Sequence, residues 1–232
     1  RSGAKKTLDG NIRIGQTVVR DLSFPVIGSN VGISVKLSAN YGKALGGNTG
    51  LATEFVNHLG IMEGFTSKPL KPTDANTGKV STVYGMGVTE DNMGSEGTKR
   101  MFRQAAGDPQ KIMDLQGEFM VDYYKKLNIN KDIQRVGIPA PSSNAYPSQY
   151  KKSLMLVYDV GWHCHNCGLN GVRSGGKKVR DGVVDAMNAP TLKQGLSMLR
   201  NTTVYNRKNP KSKRNVWMED ALKSHFKAMG KM

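Results

Sequence analysis

The sequence predicts a mainly α (α+β) protein: a helical domain with a small β-hairpin placed after its first long helix, preceded by an N-terminal arm. Three observations carry that expectation. Residues 109 to about 130 hold Ile112, Leu115, Phe119, Tyr123 and Leu127 at three- and four-residue spacing. Asp108-Pro109 opens this run as a cap followed by proline at the first helical position. The run SLMLVYDVGWHC, 153–164, is apolar almost all round, as a buried central helix is. Between Asn48 and Val88 an amphipathic stretch gives way to proline- and glycine-rich loop chemistry, then to the alternating pattern of a short strand.

Taken in order, residues 1–47 read as an arm or linker. A polar, basic opening leads to QTVVRDLSFPV and VGISVKLSA, two short strands by their β-branched content, and KALGGNTG reads as a hinge. The domain proper is expected over 48–232. Its first helix spans about 51–63, with Leu51, Phe55, Val56, Leu59 and Met62 on one face. PLKPTDANTG is loop, KVSTVYGMGV a β element, and TEDNMGSEGTKRMFRQAAG a return to helix. IPAPSSNAYPSQ is a surface loop and Gly168–Gly176 another. VRDGVVDAMNA, TLKQGLSMLRNTTVY and NVWMEDALKSHFKAMG are the remaining helices, with a break at Pro190 and an end at Gly230. No internal repeat is visible.

The 232 residues give room for one domain and a short appendage. The formal charge of +16 is the exceptional number, and it draws such a protein to polyanions: nucleic acid, anionic membrane surfaces or an acidic cell wall. The basic stretches are RKNPKSKR (207–214), SGGKKVR (174–180) and YYKKLN (123–128). Aromatics make up 7% and are not interleaved with those stretches, which argues against a base-stacking surface while leaving nucleic acid as a partner class. No apolar run reaches the length of a membrane span, and no signal peptide is visible in a chain that starts at Arg1. Two cysteines, Cys164 and Cys167, are too few for a disulfide framework.

Two constellations carry chemistry. Glu63 lies four residues after Leu59 and seven after Val56, so it continues the apolar face of its helix. A carboxyl aimed toward a core loses solvation and holds its proton to higher pH, which suits a general acid. The plainer alternative is a solvated Glu at a fraying helix end. The second constellation is HCHNC at 163–167, where Cys164 and Cys167 have zinc-ligand spacing with His163 and His165 beside them. A structural zinc needs four ligands in tetrahedral geometry, with His58 or His225 available to complete a set. A half-buried thiol and imidazole set without metal is the expectation, and no cofactor is expected.

A helix ending in Glu, a polar loop and a small β-hairpin form the layout of lysozyme-like glycoside hydrolases. EGF at 63–65 with STVYGMGV at 81–88 resembles the phage-lysozyme pattern of E-G, a loop Asp and T-x-G-x-G. It is also similar to the muramidase pattern of E-G-G followed by T-x-Y-G-I-T. LMLVYDVGWHCHNCG at 154–168 resembles the buried muramidase helix ending in F-D-x-x-x-N-x-G. KKVRDGVVDAMN is similar to the D-G-x-x-G-x-x-T piece that follows it, and NPKSKRNVWMEDAL is faintly like the terminal N-P…W-x-x-R segment. The resemblance covers about residues 50–225, in order. Asp74 departs from the phage pattern by standing eleven residues after Glu63, and Asp220 occupies the place of the terminal arginine.

The resemblance implies a peptidoglycan-degrading muramidase, associated with a phage virion or lysis system and acting at the bacterial envelope. Other phage tail or virion proteins would then be partners through the N-terminal arm. It implies Glu63 as acid, Asp74 as base, Thr82 as the group that positions water, and Ser81 and Tyr84 as substrate contacts. Asp74 also reads as ordinary turn material, Tyr84 as core cover, and Glu90 and Asp91 as reserve bases. Asp159 falls at the family's F-D position, with a structural role. Two alternatives remain open: a lytic transglycosylase working with one Glu, and a non-enzymatic basic protein that binds nucleic acid.

Overall fold

The computed structural model describes residues 13–14, 17–18, 22–25, 32–73, 78, 80–142, 145–163 and 174–232, with backbone alone before residue 35 and over 174–178. The protein is mainly helical with a small three-stranded antiparallel sheet. It divides into two compact units, Arg1–Tyr123 and Tyr124–Met232.

Unit 1 opens with four short strands, β1 (Arg13–Ile14), β2 (Thr17–Val18), β3 (Leu22–Pro25) and β4 (Gly32–Val35). β1 pairs with β2, and β3 with β4, Leu22 standing opposite Val35. Helix α1 (Ala39–Ala44) runs into the start of the segment 43–50 that reads as a hinge, and Val35, Leu37, Tyr41 and Leu45 are buried. Tyr41 anchors the helix. Its ring is fully buried and its hydroxyl donates to the Met113 carbonyl at 2.6 Å, a partner 72 residues away that no local pattern reveals. Burial also pushes the Tyr41 phenol well above its ordinary pKa.

Helix α2 (Thr49–Glu63) starts where Asn48 Oδ1 accepts the Leu51 N–H at 2.8 Å, and it stops at Gly64. Leu51, Phe55, Val56 and Leu59 are buried as the spacing predicts. Strand β5 (Thr66–Leu70) follows, its last two residues falling in the segment 69–78 that reads as loop. It is the edge of the sheet β5-β6-β7, where Pro69 is tolerated because an edge strand has N–H groups with no ladder partner. β6 (Val83–Gly85) is central and β7 (Val88–Thr89) closes the hairpin, with Tyr84 opposite Val88 and Thr66 opposite Gly85. A single 3-10 turn at Glu90–Asn92 leads to α3 (Glu96–Ala105), capped by Ser95, and then to α4 (Pro109–Leu127). Asp108 Oδ1 accepts the Lys111 N–H at 3.1 Å, the cap that the Asp-Pro pair announces.

In unit 2, Asn128 adopts a left-handed conformation (φ 53°) and separates α4 from α5 (Ile129–Val136). α6 (Lys151–His163) is buried continuously from Ser153 to Trp162, as its composition requires. α7 (Ser174–Asn188), α8 (Leu192–Asn201) and α9 (Lys213–Ala228) complete it. Two arginines join α5 to α7: Arg180 donates to Asp132 at 3.0 Å and to the Leu127 carbonyl at 2.8 Å, and Arg135 pairs with Asp181.

His225 of α9 is buried between α6 and α7. Its Nε2 donates to the Met187 carbonyl and its Nδ1 hydrogen-bonds the Ser153 hydroxyl, both at 3.0 Å. Burial lowers its pKa below the ordinary value of about 6.5. An unfolded chain therefore takes up a proton at His225 before the folded one does. The stabilising contribution is complete above about pH 6.5 and is lost as pH falls toward the depressed folded pKa. Urea midpoints measured from pH 7.5 to 5 should fall more steeply in the parent than in His225→Gln; parallel curves would contradict the assignment.

Candidate active site

The expected site residues fall on α2 and the three-stranded sheet of unit 1. Glu63 is the last residue of α2 and is half-buried. Its carboxyl lies against the 85–87 turn of the hairpin: a Cβ built on Gly87 would sit 3.6 Å from Glu63 Cγ, Cδ and Oε2. Helix end and hairpin turn thus bracket one carboxyl. The glycines of YGMG have a physical reason here, since Gly85 (φ 57°) and Gly87 (φ 87°) both hold backbone that a side chain would strain.

Thr82 is half-buried one residue before β6, and its carbonyl accepts the Glu90 N–H at 2.9 Å, continuing the β6–β7 ladder. It stands three residues before Gly85, about 10 Å along the strand by ordinary strand rise. Tyr84 is 2% exposed, packs on Phe102 with ring centroids 5.6 Å apart and directs its hydroxyl to Glu90 at 3.2 Å. This geometry is that of core cover, the alternative to a sugar contact. Ser81 donates to Asp91 Oδ2 at 2.8 Å. Asp74 lies outside the described residues; the bridge between Thr73 and Val80 shows how the chain leaves β5 just before it.

Of the reserve bases, Glu90 is engaged elsewhere. Arg103 Nε and Nη2 hold its two carboxyl oxygens at 2.9 and 2.6 Å, and Tyr84 adds a third donor. These donors, Arg103 first, keep its carboxyl below the ordinary range. Glu90 therefore ties the hairpin to α3. Asp91 is exposed at the same end of the hairpin.

In unit 2, Cys164, His165 and Cys167 lie outside the described residues, and His163 is half-buried at the end of α6. No metal-binding group of three His, Cys, Asp or Glu occurs among the described residues. His225 cannot complete a zinc set in this arrangement, because both ring nitrogens are occupied within the core. Asp159 is fully buried and paired with Arg214, so this arginine of the basic 207–214 stretch belongs to a buried ion pair and not to a solvated face. Arg207 likewise caps the Arg200 and Asn201 carbonyls.

One residue of this region is absent from the sequence reading. Gln116 of α4 is fully buried and accepts the Met86 N–H at 2.7 Å, holding the same turn that meets Glu63. The available signal was its place on the apolar stripe, four residues from both Ile112 and Met120.

No family model, curated protein or solved structure matches the chain.

Proposed function

We propose that the protein is a lysozyme-like glycoside hydrolase that cleaves β-1,4 bonds of bacterial peptidoglycan. The observation that carries the reading is the Glu63 carboxyl, placed at the end of α2 and against the turn of a small antiparallel sheet. The contact with the turn fixes where the carboxyl sits, at the edge of the sheet where a sugar chain can reach it, as a proton donor to a glycosidic oxygen requires. Glu63 gives that proton to the glycosidic oxygen as the bond to the anomeric carbon breaks. Water attacks that carbon and passes its proton to a carboxylate, a role assigned to Asp74, with Thr82 orienting the water. An inverting pair requires the two carboxyls roughly 6.5–9.5 Å apart. The products are a new reducing end and a new free hydroxyl.

The charge of +16 supports the substrate class, since wall carboxylates and attached anionic polymers offer many weak sites for such a field. A role in a phage particle or lysis system, acting at the bacterial envelope, follows from the same resemblance. Purified cell walls mixed with the protein at moderate salt should lose turbidity. Walls that stay intact while the protein binds DNA with a steep salt dependence would replace this reading with that of a nucleic-acid-binding protein.

A further inference from the structure

Gln116 is a polar residue where an apolar one would serve the core of unit 1. It sits on the buried stripe of α4 between Met113 and Met120, with no exposed surface. Its Oε1 accepts the Met86 N–H at 2.7 Å, which orients the carboxamide because only the oxygen can accept. The other end, Nε2, is buried beside the Tyr41 phenol without a well-formed hydrogen bond. A half-satisfied buried carboxamide lowers stability relative to an apolar side chain of the same size. What it does hold is the turn. A Cβ on Gly85 would come 2.2 Å from Gln116 Oε1, so turn and carboxamide fit only with glycine there. On the far side of Met86, Gly87 meets the Glu63 carboxyl. The backbone of 85–87 is gripped between a side chain of α4 and the last side chain of α2.

We infer that Gln116 is a positioning residue for Glu63, acting through the Met86 N–H to keep the 85–87 turn packed against the acid's carboxyl. The inference rests on Glu63 being the acid, as proposed above. Without the acceptor, the Met86 N–H turns toward water and the turn lifts. The Glu63 carboxyl then loses the surface that orients it and no longer presents its proton to the glycosidic oxygen in the productive geometry.

The test uses two variants of the full chain on soluble peptidoglycan oligosaccharides. Gln116→Met keeps length and removes the acceptor; Gln116→Glu keeps an oxygen at the same place, and burial holds that carboxyl protonated. The methionine variant should fold as the parent does and lose about tenfold in kcat, with KM changed less than roughly twofold. The glutamate variant should recover most of that loss. Parental kcat in the methionine variant, equal loss in both variants, or a loss confined to KM would each overturn the inference. Should the methionine variant fail to fold, Gly85→Ala, which drives the carboxamide off the turn, is read by the same criteria. Parental activity in Glu63→Gln would remove the acid assignment itself. Loss there beside parental kcat in Gln116→Met would remove only the positioning role.

Discussion

Glu63→Gln should leave a folded protein that cleaves peptidoglycan about a hundred- to ten-thousandfold more slowly than the parent. The amide keeps the size and the contact with the 85–87 turn but has no acidic proton to transfer. The α2 core beneath it, Leu51, Phe55, Val56 and Leu59, is untouched, so thermal midpoints should agree. Loss of turnover without loss of stability is the signature of a group used in the chemistry. A residue at a frayed helix end would give neither effect.

Arg214→Met should lower stability by about 3–5 kcal/mol, the usual result of leaving one member of a buried pair without the other. Asp159 is fully buried on α6, and Arg214 Nη1 reaches its two oxygens at 3.2 and 3.0 Å from the first turn of α9. Removing the guanidinium takes the arginine partner from a buried carboxylate of unit 2, and urea midpoints measure the deficit. The double variant Asp159→Leu/Arg214→Met should recover much of it, since two apolar residues replace a buried pair at little or no loss. A single variant as stable as the parent would mean that Asp159 is solvated or paired in some other way.

Local signals reported what local physics determines. Asn48 and Asp108 mark the starts of α2 and α4 because capping is settled within three residues. The all-apolar composition of 153–164 foretells the burial of α6. Wherever a partner lies far along the chain, the sequence was silent. No local pattern marks α1, whose end overlaps the glycine-rich segment 43–50, because its anchor, the Tyr41 to Met113 bond, spans 72 residues. The end of β5 carries Pro69, which reads with Pro72 as loop chemistry, and its edge position makes that proline acceptable. The α4 stripe was drawn through Leu115 and Phe119, both half-buried, whereas Met113, Gln116 and Met120 face the core.

The candidate site shows the same division. Glu63 was legible because helix period and helix end coincide on one residue. Its neighbour Gly87 was visible as a glycine but not as the surface its carboxyl rests on. Gln116 was hidden by polarity. Glu90 reads as a reserve base because it stands just past the hairpin; Arg103, thirteen residues on, commits it to an ion pair.

The most direct measurement of the central claim is mass analysis of the soluble products released from purified peptidoglycan by the parent protein. Hydrolysis at the glycosidic bond predicts muropeptide fragments with new reducing ends that sodium borohydride converts to alditols. Fragments bearing anhydro-sugars would show that the substrate's own hydroxyl, and not water, closes the reaction, and would remove the base role from Asp74. The absence of any released glycan from walls that a known muramidase digests would contradict the account as a whole.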